Sequence, residues 1–362
     1  MASDVDIHHM KSALSLASRG LGRVWPNPSV GCVIVRDGCV VARARTADGG
    51  RPHAETQALE QAGAYANGAT LYVTLEPCTH HGETAPCVDA IINAGIAHVV
   101  IGAKDVDPRV SGKSVGILES AGIRVTQNVM HDACHDINLG FFSRITEKRP
   151  FVTLKMACTL DGKIACASGQ SKWITGDVAR LHTHHVRSRH DAILIGSGTA
   201  LADDPLLSTR IGGIDHKSVR IVLGDKSKIR PESNLISSAK DIPLWVFGDK
   251  GDECDAILSD MGAVVNSYDP YDLVSILENL AGKGITRILV EGGAQIHASF
   301  IKQDLFDELL IYRAPTMLGG DGISMIGDMG VNTLEKRHDL VKQYSRKLGS
   351  DVLESYKKKV NI

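Results

Sequence analysis

The residues best suited to do chemistry in this chain are His53 and Glu55 of "PHAETQALE" and the two cysteines of "LEPCTHHGETAPC", Cys78 and Cys87. Taken alone, His53 and Glu55 read as a polar turn at the head of a helix, and a buried cysteine as a small apolar side chain. Together they suggest a metal site. Thiolate sulfur and imidazole nitrogen are the donors zinc prefers, and three protein ligands leave the fourth tetrahedral corner for water. Zinc lowers the pKa of such a water from near 16 to about 7. A neighbouring carboxylate that does not ligate the metal can then carry the proton, and Glu55 is placed for that task. Cys87, at the start of a helix, is expected to ionise readily because the helix dipole favours thiolate. The competing possibility is a closed structural site, in which His80 or His81 supplies a fourth ligand and Glu55 has no role. The open, catalytic site is preferred because it uses every member of the set.

A second constellation lies further along. "TRILVEGGAQIHASF", residues 286–300, reads as a strand, a glycine pair and a helix. Glycines let backbone approach a phosphate, and a helix N-terminus offers free N–H groups and a positive dipole end. It is not the three-glycine Rossmann fingerprint. "TLKMACTLDGKIACASGQSKWITG" places Lys155 on a strand, followed by small polar residues and Trp173. "GSGTALADDPLLSTR" gives another glycine-bearing strand end, then Asp203, Asp204 and Arg210. Arg187 and Arg210 could each make bidentate contacts to a phosphate. On physics alone, ordinary α/β loops with exposed charges explain these features equally well. Two further histidine clusters, "HTHH" at 182–185 and "HDACHD" at 131–136, lack a paired acid or strand-end loop and read as surface helix residues.

The elements that must position these residues alternate. "VDIHHMKSALSLASRG" has helical spacing, and "VGCVIVRDGCVVARA" reads as two strands around an Asp37-Gly38 hairpin turn. "HAETQALEQAG" is a helix, "ATLYVTLEPC" a strand, "CVDAIINAG" a helix and "AHVVIGAKD" a strand. "SVGILESAG" and "IRVTQNV" repeat the beat. Strands alternating with helices argue for an α/β layer with a mixed or mostly parallel sheet. The rhythm breaks at residues 140–152 with a charge run and Pro150, which sets a boundary between residues 1–145 and 150–362. The second half restarts with strands at "FVTLKMA", "AILIGSGTA", "VRIVLGD", "PLWVFGD", "ITRILVEGG" and "DELLIYRAPTML", and a helix at "DVARLHTHHVRSRH". The terminal "KKK" reads as a solvated tail.

Length and composition fit two domains: 362 residues exceed what one core usually supports. A net charge of −2 and only 4% aromatic residues argue against a nucleic-acid groove, so an editing deaminase with an accessory binding domain is the weaker alternative. No stretch approaches the roughly 20 apolar residues of a membrane span, and the acidic start "MASDVDIHHM" shows no signal peptide. Eight scattered cysteines fit reduced thiols in a cytoplasmic protein.

"HAE" with "EPCTHHGETAPC", and the earlier "PNPSVGCVIV", resemble the bifunctional riboflavin-biosynthesis deaminase/reductase family; "LKMACTLDGKIA", "SKWIT", "GTALADDPLL" and "VEGGAQIH" resemble its reductase half. The eight residues between the cysteines match that family rather than the two of cytidine deaminases. The resemblance covers about residues 5–325. It implies a cytidine-deaminase-like α/β/α domain followed by a dihydrofolate-reductase-like α/β domain. The first would be a zinc-dependent pyrimidine deaminase, with His53, Cys78 and Cys87 on zinc, Glu55 as proton shuttle and Asn27 orienting the base. The second would be an NADPH-dependent reductase. There Ser171, Arg187, Leu207, Arg210 and Glu291 would meet a ribosyl-phosphate substrate. Ala157, Trp173, Thr199, Asp203, Asp225 and the loop Gly293, Ala294, Gln295 and Ile296 would meet the cofactor, and Lys155 would face the reacting carbon. Partners would be a small phosphoribosylated diaminopyrimidine and further copies in a homo-oligomer, with neither nucleic acid nor membrane. Three positions depart from the family pattern. Glu83 stands where a basic residue is common, Thr46 where a histidine is, and Gly224 where an aspartate is frequent. The first two put the phosphate grip in doubt, with Arg51 or Lys104 as compensating cations, and leave a monofunctional reductase with a degenerate deaminase half as an alternative.

Overall fold

The computed structural model describes residues 3–81, 85–213 and 217–359. The chain divides into two compact units, Met1–Arg149 and Pro150–Ile362.

The first unit opens with the helix Asp4–Ser18, whose start is fixed by a reciprocal capping box between Ser3 and Asp6. Its five-stranded sheet comprises β1 (Gly31–Arg36), β2 (Cys39–Arg45), β3 (Thr70–Leu75), β4 (His98–Ala103) and β5 (Arg124–Thr126), in the order β2-β1-β3-β4-β5. β1 runs antiparallel to β2 and β3, whereas β3, β4 and β5 are parallel. The expected hairpin is present: Asp37 and Gly38 both have positive φ, 49° and 76°, the backbone a two-residue turn requires. β4 is buried along its whole length, as expected for a central parallel strand covered on both faces. The helices Asp4–Ser18 and His131–Ile137 cover one face; Ala54–Ala62, Cys87–Asn93 and Lys113–Ser120 cover the other. This α/β/α sandwich brings the start of Ala54–Ala62, the end of β3 and the start of Cys87–Asn93 to one edge.

The second unit is built on nine strands in the order β11-β10-β9-β8-β12-β6-β13-β16-β15. They are β6 (Phe151–Cys158), β8 (Ala192–Gly196), β9 (Val219–Leu223), β10 (Leu244–Gly248), β11 (Val264–Ser267), β12 (Arg287–Gly292), β13 (Glu308–Arg313), β15 (Leu340–Leu348) and β16 (Asp351–Lys358). A small ribbon pairs β7 (Lys163–Ala165) with β14 (Ile323–Ser324). β11 through β13 are parallel, and β16 and β15 add an antiparallel hairpin. The chain steps outward from β8 to β11, then returns to insert β12 between β8 and β6. Such a reversal opens a crevice at the strands' carboxyl ends, where open α/β sheets bind ligands. Among the described residues no helix is long and apolar enough to cross a membrane.

Several expectations need correction. The last expected strand, residues 307–318, ends at Arg313, and the chain adds the unanticipated β15–β16 hairpin. β15 is exposed along most of its length, so its charged and polar residues carry no hydrophobic alternation. The "KKK" tail is not free: Lys357 and Lys358 belong to β16, and the Lys358 amine donates to the Asp304 carbonyl at 2.5 Å. Residues 139–146, where the rhythm seemed to break, fold as a helix. Cys134 of "HDACHD" is fully buried, and a Cβ on Gly102 would sit 2.3 Å from its sulfur, so it belongs to the core and not the surface.

Close approach of helix and strand sets one strict requirement. A Cβ on Gly31 would lie 1.9 Å from the Ala13 carbonyl oxygen of the helix above it. Gly31→Ala is therefore expected to cost about 1–3 kcal/mol or more through overpacking. Gly116, inside Lys113–Ser120, has open space around it. Gly116→Ala should instead add about 0.5–1 kcal/mol of helix propensity. Denaturant midpoints of the two variants should move in opposite directions.

Candidate active sites

His53 is indeed the N-cap of the helix Ala54–Ala62, but its side chain makes no capping hydrogen bond. Its Nδ1 instead lies 3.3 Å from the Cys87 sulfur and 3.7 Å from the Cys78 sulfur. The Cys87 backbone N–H, at the first residue of Cys87–Asn93, donates to the Cys78 sulfur at 3.3 Å. All three donor atoms lie within 4.8 Å of one another. Zinc–nitrogen and zinc–sulfur bonds of about 2.0 and 2.3 Å at tetrahedral angles give a nitrogen–sulfur edge of about 3.6 Å, so the spacing fits the ion. Among the described residues neither His80 nor His81 joins the cluster.

Cys87 does head its helix, and a hydrogen bond couples its thiol to that of Cys78. The hydrogen bond from the Cys87 thiol, followed by bonds from His53 and the Cys87 backbone, holds Cys78 down at about 4 despite its burial. That shared proton, then burial and the charge of Glu55, push Cys87 up.

Glu55, one residue into the helix, is 3% exposed and lies beside the donor cluster without belonging to it. Burial raises its pKa, opposed by the charge of His53 and reinforced by that of Cys78. Asn27 donates from its carboxamide to the Gly50 carbonyl at 2.9 Å, three residues before His53. Gly50 has φ +88°, and a Cβ there would strike the Asn27 amide at 2.2 Å, so the two positions are fitted to each other. The unexpected Thr46 is buried and structural. Its hydroxyl accepts from the Val30 N–H at 3.0 Å and donates to the Pro28 carbonyl at 3.2 Å. Glu83 lies outside the described residues; Arg51 is half-buried and Lys104 exposed.

Sequence reasoning overlooked Glu76, two residues before Cys78. Its buried carboxylate accepts from the backbone of Asp105 (3.2 Å), Gly112 (3.0 Å) and Ser114 (3.3 Å) and from the Ser114 hydroxyl (2.8 Å). The Thr79 hydroxyl adds a bond to the Arg109 carbonyl at 2.9 Å. The 104–112 loop is thereby tied to the loop that carries Cys78. An acid at the end of an apolar strand was the available signal.

In the second unit Arg187 and Glu291 form a buried, bidentate ion pair, with Nε–Oε1 at 2.5 Å and Nη2–Oε2 at 2.8 Å. Arg187 also donates to the Ser208 carbonyl at 3.0 Å. The fork expected to grip a phosphate is thus taken up by Glu291, because two parallel N–H donors match a carboxylate equally well. Lys155, half-buried on β6, lies 5.5 Å from the centroid of the Tyr312 ring. Burial lowers its pKa, opposed by the charge of Glu291. Leu207 is buried with φ +51°, a left-handed backbone unusual for leucine. The Arg210 backbone N–H reaches His184 Nδ1 at 3.3 Å, and the Arg210 side chain is exposed. Arg187, Leu207, Arg210 and Glu291 therefore cluster. Ser171 lies half-buried on the loop that leads to Trp173.

The expected cofactor residues divide. A Cβ on Gly293 would lie 3.1 Å from the Thr199 hydroxyl, so the β8 and β12 loops meet there, and the helix Ala294–Lys302 starts at Gly293 without a side-chain cap. The Lys172 amine reaches the Asp203 carbonyl at 3.4 Å, and Arg180 lies 4.5 Å over the exposed Trp173 ring. Ala157 is half-buried on β6. Asp225 is engaged as a cap, accepting from Ser227 N–H at 3.0 Å and its hydroxyl at 2.6 Å. Gly224 has φ +124°, and a Cβ there would lie 2.8 Å from the Ser197 hydroxyl, which accounts for glycine at that position. Ile296 packs against Gly196, and Gln295 against Gly327.

Three histidines were misjudged or missed. His182 bonds the Tyr312 hydroxyl at 2.8 Å, and His184 meets Arg210, so only His185 of "HTHH" is a surface residue. His297, buried against Gly292, has Nδ1 3.3 Å from the Met325 carbonyl, and burial lowers its pKa to about 4.

Although burial pushes the Glu291 carboxyl upward, the charge and hydrogen bonds of Arg187, then the charge of Lys155, hold it at about 2. A carboxyl whose folded pKa lies below its unfolded value of about 4.3 stabilises fully above that value and loses its contribution as pH falls toward the folded value. Acid titration followed by near-ultraviolet circular dichroism should show the second unit losing stability between about pH 4.5 and 2. In Glu291→Gln that pH-dependent component should be absent.

Residues 3–103 match the cytidine and deoxycytidylate deaminase zinc-binding region, and residues 150–353 match the RibD C-terminal domain. Riboflavin biosynthesis protein RibD of Aquifex aeolicus is 40% identical over 99% of this chain and 100% of its own length. The Escherichia coli protein of that name is 36% identical over 96% of this chain and 98% of its own. Among solved structures, Acinetobacter baumannii RibD superposes with a TM-score of 0.89 at 35% identity, covering 98% of this chain and 99% of that one. A diaminohydroxyphosphoribosylaminopyrimidine deaminase/5-amino-6-(5-phosphoribosylamino)uracil reductase from Thermotoga maritima gives 0.87 at 34% identity, covering 98% and 99%. With a zinc-binding deaminase unit and a reductase unit on one polypeptide, this chain belongs to the RibD family of bifunctional riboflavin-biosynthesis enzymes.

Proposed function

We propose that the first unit deaminates 2,5-diamino-6-(5-phosphoribosylamino)pyrimidin-4(3H)-one and that the second reduces the ribosyl side chain of the product to ribityl with NADPH. The observation that carries this reading is the three-donor cluster of His53, Cys78 and Cys87 with Glu55 buried beside it and outside it. The Thermotoga maritima relative's name states both reactions.

His53, Cys78 and Cys87 would hold zinc, which when bound supplies the Lewis acidity that makes water nucleophilic near neutral pH. Glu55 takes the proton of the attacking water and passes it to the departing amino nitrogen, so that ammonia leaves. Asn27, clamped to Gly50, orients the pyrimidine. In the second unit Thr199, Asp203, Trp173, Ala157 and the loop from Gly293 through Ile296 would hold NADPH, which when bound supplies the hydride. The protein's part there is positioning and charge. Arg210, with the exposed guanidinium, meets the substrate phosphate. The Arg187–Glu291 pair, Ser171 and Leu207 shape the sugar pocket, and Lys155 faces the reacting carbon. Asp225 contributes to the cofactor's border. Eight unpaired cysteines suit a reducing cytoplasm, and we infer a homo-oligomer from the family resemblance, to be read by sedimentation.

Glu55→Gln should retain one zinc per chain by metal analysis and lose roughly 10²–10⁴-fold in ammonia release. Ammonia release at the wild-type rate would remove Glu55 from its role. Chelation with a strong zinc ligand should stop ammonia release while NADPH oxidation on the deaminated substrate continues. Lys155→Ala should have the reverse effect, sparing ammonia release and slowing NADPH oxidation.

A further inference from the structure

Among the described residues, Arg220 on β9 is a charge with no solvent exposure. Its guanidinium meets carbonyls and a hydroxyl: Leu206 O at 3.2 Å, Ser238 Oγ at 2.7 Å, Ser238 O at 3.2 Å and Ile242 O at 2.5 Å. Among the described residues its Nε has no partner. At a strand position between Val219 and Ile221, an apolar side chain of similar volume would be easier to bury, so a charge held only by neutral acceptors is a poor stability device.

What the guanidinium reaches suggests its purpose. Leu206 lies between two non-glycine residues with left-handed backbone, Asp204 at φ +41° and Leu207 at φ +51°. Conformations of that kind persist only where the surroundings over-determine them. Here two clamps do so. Arg220 seizes the Leu206 carbonyl from inside the sheet. From outside, the Asn234 backbone N–H donates to the Asp204 carboxylate at 2.8 Å, and its carboxamide donates to the Asp204 carbonyl and carboxylate, each at 2.9 Å. The clamps are joined, since the Ser238 hydroxyl that accepts from Arg220 donates to the Asn234 carbonyl at 2.5 Å. The clamped segment runs on into Ser208, bonded to Arg187, and Arg210, bonded to His184.

We propose that Arg220 and Asn234, coupled through Ser238, are positioning residues of the reductase: they hold the 204–210 loop, anchored in the core by Leu207, in the strained shape that presents Arg210 to the phosphoribosyl substrate. This rests on the assignment of that loop to substrate binding. It makes the substrate pocket rigid before binding, so that little ordering cost falls on association.

The full-length chain carrying Asn234→Ala or Arg220→Met tests this alongside wild type. Amide hydrogen exchange over residues 204–210 should quicken about tenfold or more in both variants, with exchange over β8 unchanged. In steady-state NADPH oxidation on the deaminated substrate, KM for that substrate should rise about tenfold while KM for NADPH and kcat stay within about twofold, as expected when a positioned contact loosens. Ammonia release by the first unit should match wild type. Unchanged exchange over 204–210, equal quickening over β8, or a substrate KM at the wild-type value would each overturn the proposal. Should Arg220→Met fail to fold, Asn234→Ala, an exposed substitution, decides alone. A wild-type chain that oxidises no NADPH with this substrate would sink the reductase assignment, and the exchange measurement would then judge the clamp by itself.

Discussion

Three donor atoms must meet within one coordination sphere, although they come from two stretches 25 residues or more apart. Everything in the first unit serves that meeting. His53 stands at the head of one helix, Cys78 just beyond the end of β3, and Cys87 at the head of another helix, and both helices lie on one face of the sheet. The sheet sets the distance between strand end and helix heads, and its own spacing depends on close contacts that exclude side chains at Gly31 and Gly50. A helix N-terminus also leaves its first N–H groups unbonded, which is why the Cys87 backbone can donate to the Cys78 sulfur. The same geometry leaves Glu55, one residue inside the helix, buried beside the three donors and outside their cluster.

The second unit solves a different problem by similar means. No single residue dominates; the carboxyl ends of β6, β8 and β12 bring together short loops whose side chains mostly bond one another. The Arg187–Glu291 pair is the centre of this network, and its charges are repeated in the surroundings of Lys155, His184 and His297. Burial raises the energy of each charge, and pairing recovers it. A network constructed in this way holds its loops in shape, while Arg210 stays exposed and the start of Ala294–Lys302 has no side-chain cap.

Much of this was readable in the residues. The hairpin at Asp37-Gly38, the alternating helices and strands of the first unit, and the parallel strands of the second follow from local periodicity and turn chemistry. The metal cluster was legible because its donors are rare residue types with little other reason to coincide. What escaped was polar. β15 exposes its charged side chains and so lacks an apolar face to announce it. Glu76 and Arg220 look like surface charges in the sequence and are buried in the fold. Cys134 and His184 sit in stretches that look solvated and face inward.

The sequence by itself determined which atoms are available for chemistry: two thiols, an imidazole and a carboxylate in one half, a basic and glycine-rich set in the other. It also determined most of the order of helices and strands, because each apolar or turn-bounded element is encoded within a dozen neighbouring residues. Tertiary structure alone decided that the two thiols are coupled through a hydrogen bond, that Arg187 is taken by Glu291, that Thr46 is a structural tie, and that Leu207 is held in a left-handed turn. Those outcomes depend on distances and burial between residues far apart in the chain. Coulomb energies and desolvation change steeply over a few ångströms, and only the folded packing fixes those ångströms.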